Sequence, residues 1–151
     1  MKKISFIAVA VAALFIFSAC QSADPVDMGK DFDKVYSSYA DSLNLDGAEK
    51  YTVQSGDTLS NITKKSYGED NGYYFPLIML ASNNVVKDPE LIRPGMELTI
   101  PNLEANIGDS SRAKKLSPYF KDIANVYKQK RTKSSANIRE NLLRISDELK
   151  N

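Results

Sequence analysis

The sequence has no histidine, no tryptophan and a single cysteine among its 151 residues. Without histidine, the commonest general base at neutral pH is missing, so neither a Ser-His-Asp nor a Cys-His site can be built. A histidine-ligated zinc site is excluded for the same reason. One cysteine cannot close a disulfide within the chain, so the fold does not rest on a disulfide framework.

The N-terminal region holds an uncharged apolar run over residues 4–17, which is fourteen residues long. This is shorter than the roughly 20 residues that a membrane-spanning helix needs. Lys2 and Lys3 precede the run, an order typical of a secretory signal peptide. Small residues and then Cys20 follow. The segment resembles the lipobox of bacterial lipoproteins, in which the cysteine thiol is acylated and the chain is cut before it, although Phe17 stands where an aliphatic residue is usual.

That resemblance implies a signal peptide over residues 1–19, lipidation of Cys20 with palmitate-type acyl chains, and a tether over residues 20–29. Two or more acyl chains would anchor the protein firmly, because each buried methylene contributes roughly 0.8 kcal/mol. The alternative is an ordinary secretory signal that leaves Cys20 as a free thiol. We expect a lipid anchor in a bacterial membrane, a chain facing the periplasm within the cell envelope, and no nucleic-acid partner.

Charge is distributed unevenly along a chain whose net charge is +1. Residues 111–151 carry eleven basic and four acidic side chains, whereas residues 21–50 carry seven acidic and three basic ones. This asymmetry predicts either pairing between the segments or a basic surface for an anionic partner.

Three segments have apolar residues at helical spacing on one face. The first is an N-terminal amphipathic helix over residues 30–45, which Asp46 and Gly47 end. The other two form a predicted helical hairpin over residues 112–151, after a polar linker over residues 104–111. Because proline suits only the first turn of a helix, Pro118 predicts that the first hairpin helix begins near Ser117.

Between these helices, the pattern predicts a strand, two helices and a second strand. Tyr51 and Val53 alternate with polar residues, and a turn follows in which Asp57 or Thr58 can cap the next helix. Pro76 fits the first turn of the second helix. Since a two-stranded ribbon is marginal alone, both helices are expected to cover it.

The segment from Tyr51 to Pro101 resembles the long form of the LysM domain. The matching residues are Tyr51, Val53, Gly56, Asp57, Thr58, Leu59, Tyr67, Gly68, Ile78, Ala81, Asp88, Pro89, Leu91, Ile92, Pro94, Gly95, Leu98, Ile100 and Pro101. The resemblance implies an α+β fold, with a βααβ LysM domain over residues 50–103 and a two-stranded antiparallel sheet. Ser82 departs from the family, which often has asparagine there as a loop brace.

LysM domains bind glycans that contain N-acetylglucosamine, in bacteria chiefly peptidoglycan, in a groove between two loops. Carried over to this chain, the glycan-binding residues are Ser55, Gly56, Asp57, Thr58, Leu59, Asn83, Ile92, Arg93 and Pro94. Each also has a purely structural interpretation, since Gly56 can serve the turn and Asp57 the helix cap. The aromatic group Tyr73, Tyr74 and Phe75 could stack on sugars, but core packing is the more ordinary role.

The sequence is compatible with three functions. The first is a lipoprotein that binds peptidoglycan without catalysis or cofactor and tethers or positions components of the envelope. The second is a periplasmic scaffold whose flanking helices bind an envelope protein partner, with the LysM domain as localiser. The third, a wall hydrolase, is disfavoured because a glycosidase needs two carboxylates flanking its bond and the acids here are scattered.

Overall fold

The computed structural model of the protein describes residues 28–151. The predicted signal peptide, Cys20 and nearly all of the predicted tether lie outside the described residues. Among residues 28–151, no helix combines the length and the apolar character needed to cross a membrane.

The strand–helix–helix–strand order and the α+β fold class are confirmed, and residues 49–101 are called the βααβ module below. Strands β1 (Glu49–Thr52) and β2 (Glu97–Ile100) enclose helices α2 (Leu59–Tyr67) and α3 (Phe75–Ala81), which a 3₁₀ segment over Glu69–Tyr74 connects. The strands pair antiparallel, with Tyr51 opposite Leu98. As predicted, Pro76 lies in the first turn of α3, where its missing N–H costs nothing.

A buried serine holds the second strand on the side away from β1. The Ser82 hydroxyl accepts from the Thr99 amide at 2.9 Å and donates to the Thr99 carbonyl at 3.3 Å. In a sheet of only two strands, this hydroxyl satisfies backbone groups that a third strand would otherwise bond. Ser82 therefore acts as a brace at the position where the family often has asparagine.

The N-terminal helix is shorter than the predicted 30–45. Helix α1 spans Gly29–Tyr39, and a single 3₁₀ turn follows over Ala40–Ser42. Phe32 and Tyr36 are buried on its inner face, and the Tyr39 hydroxyl donates to the Asp122 carboxylate at 2.7 Å. Packing on the C-terminal helices thus decides the position of α1, as expected for a one-sided helix.

The predicted linker over residues 104–111 is wrong, because most of it is helical. Helix α4 spans Leu103–Ile107, and the Asn102 side chain caps it by accepting from the Ala105 amide. The fully buried Asn106 amide accepts from the Asn44 backbone and donates to the Asn44 carbonyl, at 2.8 and 2.9 Å. These bonds fix a polar segment that the sequence alone marked as irregular.

The predicted start of the first hairpin helix near Ser117 is also wrong. Helix α5 spans Ser110–Tyr127, with Asp109 as its N-cap and Pro118 inside it. A proline there removes one backbone hydrogen bond and crowds the carbonyl one turn earlier. The helix continues because Pro118 points outward while residues on both sides of it are buried in the core.

Helix α6 (Lys133–Glu148) completes the C-terminal hairpin, the name used below for α5, α6 and their turn. Its N-cap is Thr132, which forms a capping box with Ser135. Ser117 and Ser146 bond reciprocally between the helices, each hydroxyl donating to the other residue's carbonyl at 2.8 Å. Small residues at this point allow α5 and α6 to approach closely.

The C-terminal hairpin and the βααβ module share one hydrophobic core. Tyr74 meets Phe120 edge-on at 5.8 Å, and Phe75 meets Tyr127 at 6.3 Å. In the described part of the chain, the exposed large hydrophobic residues are Leu45 and Leu91. The apolar faces of the flanking helices are therefore packed inside the molecule, and the described residues give no support to the contiguous apolar patch that the scaffold hypothesis requires.

Candidate ligand groove

The first loop of the βααβ module turns at Gly56, whose φ is +85°. This left-handed conformation favours glycine because it carries no Cβ. The turn brings Asp57 back toward the strand, and its carboxylate accepts from the Tyr51 hydroxyl at 2.7 Å and from the Gln54 amide at 2.9 Å. Lys65 adds an ion pair at 3.0 Å. Asp57 is thus the internal brace of the loop.

These bonds also set the charge state of Asp57. The hydrogen bond from Tyr51, followed by those from Gln54 and Lys65, lowers the pKa of the carboxyl to about 2. The same bond raises the pKa of the Tyr51 hydroxyl. Because both carboxylate oxygens already accept hydrogen bonds, Asp57 is less available to a ligand than the sequence suggested.

The sequence left open whether Asp57 or Thr58 caps α2. In the structure, Thr58 is the N-cap. Its hydroxyl accepts from the Asn61 amide at 3.2 Å. The cap starts α2 at Leu59, which is 3% exposed. The Thr58 hydroxyl and the aliphatic Leu59 side chain therefore lie next to each other at the end of the loop.

A groove of about 470 Å³ runs past this loop. It is called the groove below. Four of the nine residues predicted to bind glycan line it, namely Asp57, Thr58 and Leu59 from the first loop and the start of α2, and Ile92 from the loop before β2. The remaining lining residues are Ser60, Tyr73, Phe75, Pro89, Glu90, Tyr127, Ser134, Asn137 and Ile138.

The other predicted site residues lie away from the groove. Ser55 and Gly56 line a separate hollow with Lys64 and Lys65, and Arg93 lines another beside Met96. Asn83 and Pro94 line none of these three, and the Asn83 carbonyl accepts from Lys87 at 2.8 Å. The structure thus brings together only part of the predicted set.

Tyr73 and Phe75 of the aromatic group both line the groove, and Tyr73 is the more exposed of the two. Tyr74 and Phe75 pack against rings of α5, as their core interpretation predicted. Tyr73 is half-buried, and its hydroxyl accepts from the Asn137 side-chain amide at 2.7 Å. Since that hydroxyl accepts one bond, its own proton remains available to a ligand.

Sequence reasoning missed the contribution of the C-terminal hairpin to the groove. Tyr127, Ser134, Asn137 and Ile138 all line it. The helical spacing identified Ile138 as an inward residue, but no local signal indicated that α6 would lie beside the first loop. The hairpin forms a third wall beside the two loops.

The chemistry of the groove is mixed. Aliphatic surface comes from Leu59, Ile92 and Ile138, and the hydroxyls of Ser60 and Ser134 make no hydrogen bond to another described residue. Such a combination binds a ligand that is apolar on one face and rich in hydroxyls or amides on its edge. Across residues 28–151, no group of three or more acidic or cysteine side chains is placed to hold a metal ion.

Residues 51–101 match the family model of the LysM domain. The chain is also 49% identical over 51 residues to the potassium binding protein Kbp of Escherichia coli, a match covering 34% of this chain and 33% of that protein. An uncharacterized protein of Deinococcus radiodurans is 40% identical over 55 residues, which cover 36% of this chain and 20% of that protein. The match therefore spans a third or less of each relative. No solved structure gives a significant match.

Proposed function

Because residues 51–101 form a LysM domain, we propose that the protein is a non-enzymatic binder of peptidoglycan that holds N-acetylglucosamine-containing strands in the groove. The observation that carries the proposal is that one groove is lined by Leu59, which follows the first loop of that domain, and by Ile92 from the loop before β2. Aliphatic walls suit the acetyl methyl and the apolar face of the sugar, while nearby hydroxyls suit its amide and hydroxyl edge.

We further propose that Cys20 is lipidated and that the protein is anchored to a bacterial membrane, facing the periplasm. The support is the order of Lys2 and Lys3, the apolar run and Cys20 in the sequence. A lipid anchor and a weak glycan site on one chain would give an avidity that neither has alone. The protein would thereby tether or position components between the membrane and the wall.

Sedimentation of residues 28–151 with purified peptidoglycan tests glycan binding. We expect the wild type to sediment with peptidoglycan and Ile92→Asn to remain in the supernatant. The matched control is Leu91→Asn, because Leu91 is the neighbouring residue, is 59% exposed and lies outside the groove. Wild-type protein that stays in the supernatant, or equal retention of Ile92→Asn and Leu91→Asn, would refute the assignment.

Lipidation is tested separately with the full chain expressed in bacteria in the presence of labelled palmitate. We expect label in the wild type and none in Cys20→Ser. An unlabelled wild-type protein would remove the anchor from the proposal and leave glycan binding untouched.

Potassium is a second candidate ligand, because the relative that is 49% identical over 51 residues is named for binding it. The test is a titration of residues 28–151 with potassium chloride, followed by amide NMR, against sodium chloride at equal ionic strength. Shifts that saturate with potassium alone would support this candidate, and identical responses to the two salts would exclude it.

A further inference from the structure

The C-terminal hairpin lies outside the LysM segment and yet lines the groove with four residues. We propose that this hairpin is a ligand-contacting wall, so that the glycan site of this protein is built jointly by the LysM domain and helix α6. Asn137 and Ser134 meet the polar edge of the sugar and Ile138 meets its apolar face. The inference rests on the proposed glycan function and specifies which residues of this chain carry it.

The hairpin wall is held against the domain by contacts on both sides of the groove. The Lys130 ammonium lies 2.5 Å from the Glu90 carboxylate and 3.7 Å from Asp88, on the loop before β2. At the other side, the Asn137 amide donates to the Tyr73 hydroxyl at 2.7 Å. Between them, Tyr127 packs edge-on against Phe75. A wall fixed in this way needs no ordering when the ligand arrives, which favours affinity.

Several hydroxyl groups in and beside the hairpin wall are free to form hydrogen bonds with a sugar. The Ser134 hydroxyl is exposed and makes no hydrogen bond to another described residue, and Ser60 supplies a comparable hydroxyl from the start of α2. Tyr73 retains its proton for a ligand acceptor because its oxygen already accepts from Asn137. Donors and acceptors therefore come from both the domain and the hairpin, with aliphatic side chains between them.

The hairpin wall also affects the size and shape of the ligands that the groove can hold. A groove formed by the two loops alone would lack the hairpin contacts, whereas here residues of α6 supply part of its lining. The volume of about 470 Å³ lies within the range of pockets that enclose small ligands, which is roughly 300–1,000 Å³. The groove is thus large enough for a ligand of the size of a short glycan segment.

The experiment is calorimetric titration of residues 28–151 with a soluble N-acetylglucosamine tetramer. We expect Asn137→Ala to weaken binding about fivefold or more and Ser134→Trp to abolish it by filling the groove. Ser134 is exposed, so the larger side chain blocks the groove without entering the core. The controls are Asn125→Ala and Asn125→Trp, because Asn125 is an exposed residue of α5 outside the groove.

Thermal unfolding of each variant separates loss of binding from loss of folding. A direct contact is also seen in amide NMR, where the side-chain amide of Asn137 should shift on titration while that of Asn125 does not. If the wild type binds and Ile92→Asn does not, but Asn137→Ala and Ser134→Trp both bind like the wild type, the hairpin wall is refuted and the glycan function stands. If the wild type binds neither the tetramer nor peptidoglycan, both proposals fall.

Discussion

The buried hydroxyl of Tyr119 donates a hydrogen bond to the carbonyl oxygen of Pro76 at 2.7 Å, across 43 residues of sequence. Tyr119 is fully buried on α5, and Pro76 lies in the first turn of α3 of the βααβ module. This bond lies inside the shared core, so the module and the C-terminal hairpin are joined by a specific polar contact as well as by apolar packing.

Tyr119→Phe should lower the free energy of unfolding by about 1 kcal/mol, because it removes a buried hydrogen bond and leaves the Pro76 carbonyl short of a partner. Urea unfolding of residues 28–151 measures the change. The matched control is Tyr36→Phe, since the Tyr36 hydroxyl is buried and has no hydrogen-bond partner among residues 28–151. Its removal should leave stability unchanged or raise it. Equal effects of the two variants would contradict a stabilising role for the bond.

Ser82→Ala should destabilise the protein by about 1–2 kcal/mol, because the Thr99 amide would lose its acceptor in a part-buried place. The local signature is faster hydrogen exchange at the Thr99 amide than in the wild type. Ser60→Ala is the control, since that hydroxyl makes no hydrogen bond to another described residue. If the Thr99 amide exchanges at its wild-type rate in Ser82→Ala, the bracing role is wrong.

The parts of the fold that were predicted correctly are those that local chemistry encodes. The Gly56 turn, a helix cap at Asp57 or Thr58 and Pro76 in the first turn of α3 each depend on a few adjacent residues. Pro118 misled the prediction because its local preference was overridden by burial of the residues around it. The segment after Asn102 was misread for a similar reason, since the contact between Asn106 and Asn44, which are 62 residues apart, holds its short helix in place.

In the groove, too, the residues encoded by local sequence were predicted, and those set by tertiary packing were not. Leu59 and Ile92 belong to the domain pattern, and the sequence identified both. The pairing of Tyr73 with Asn137 joins residues 64 positions apart, and neither residue is unusual for its own helix. Nothing local in the sequence encodes such a contact, because it depends on the angle at which the hairpin packs. For Asp57, the sequence indicated a cap or ligand contact, and the actual bond to Tyr51 required the geometry of the turn.

Lys130→Met should destabilise the attachment of the hairpin turn. The Lys130 side chain is 15% exposed and that of Asp88 is 7% exposed, so removal of the ammonium leaves a poorly hydrated carboxylate without its cation. We expect a loss of about 2 kcal/mol, between the values for exposed and fully buried pairs. Hydrogen exchange of residues 130–138 should also become faster.

Arg144→Gln is the control for Lys130→Met, since the pair of Arg144 with Glu148 is exposed on α6. Removing an exposed pair at this spacing should cost no more than about 0.5 kcal/mol. If the two variants are destabilised equally, the contact of Lys130 with Asp88 and Glu90 does not hold the hairpin to the domain.

Asp57→Asn should change the pH dependence of stability in acid. The pKa of Asp57 is lowered from 3.8 to about 2 in the folded protein, chiefly by the hydrogen bond from Tyr51. A carboxyl with a lowered pKa stabilises the folded state above its unfolded pKa, and this contribution is lost as the pH falls through the folded value. The wild type should therefore exceed Asp57→Asn in stability above about pH 4, and the difference should shrink between pH 4 and pH 2.

Urea unfolding at half-unit pH intervals from 7 to 2 measures this difference. Asp41→Asn, which removes an exposed carboxylate that accepts no hydrogen bond from a described side chain, controls for the loss of one negative charge. Tyr51→Phe should reproduce part of the effect because it removes the largest cause of the lowered pKa. A constant difference between wild type and Asp57→Asn over the whole range would mean that the carboxylate does not brace the loop.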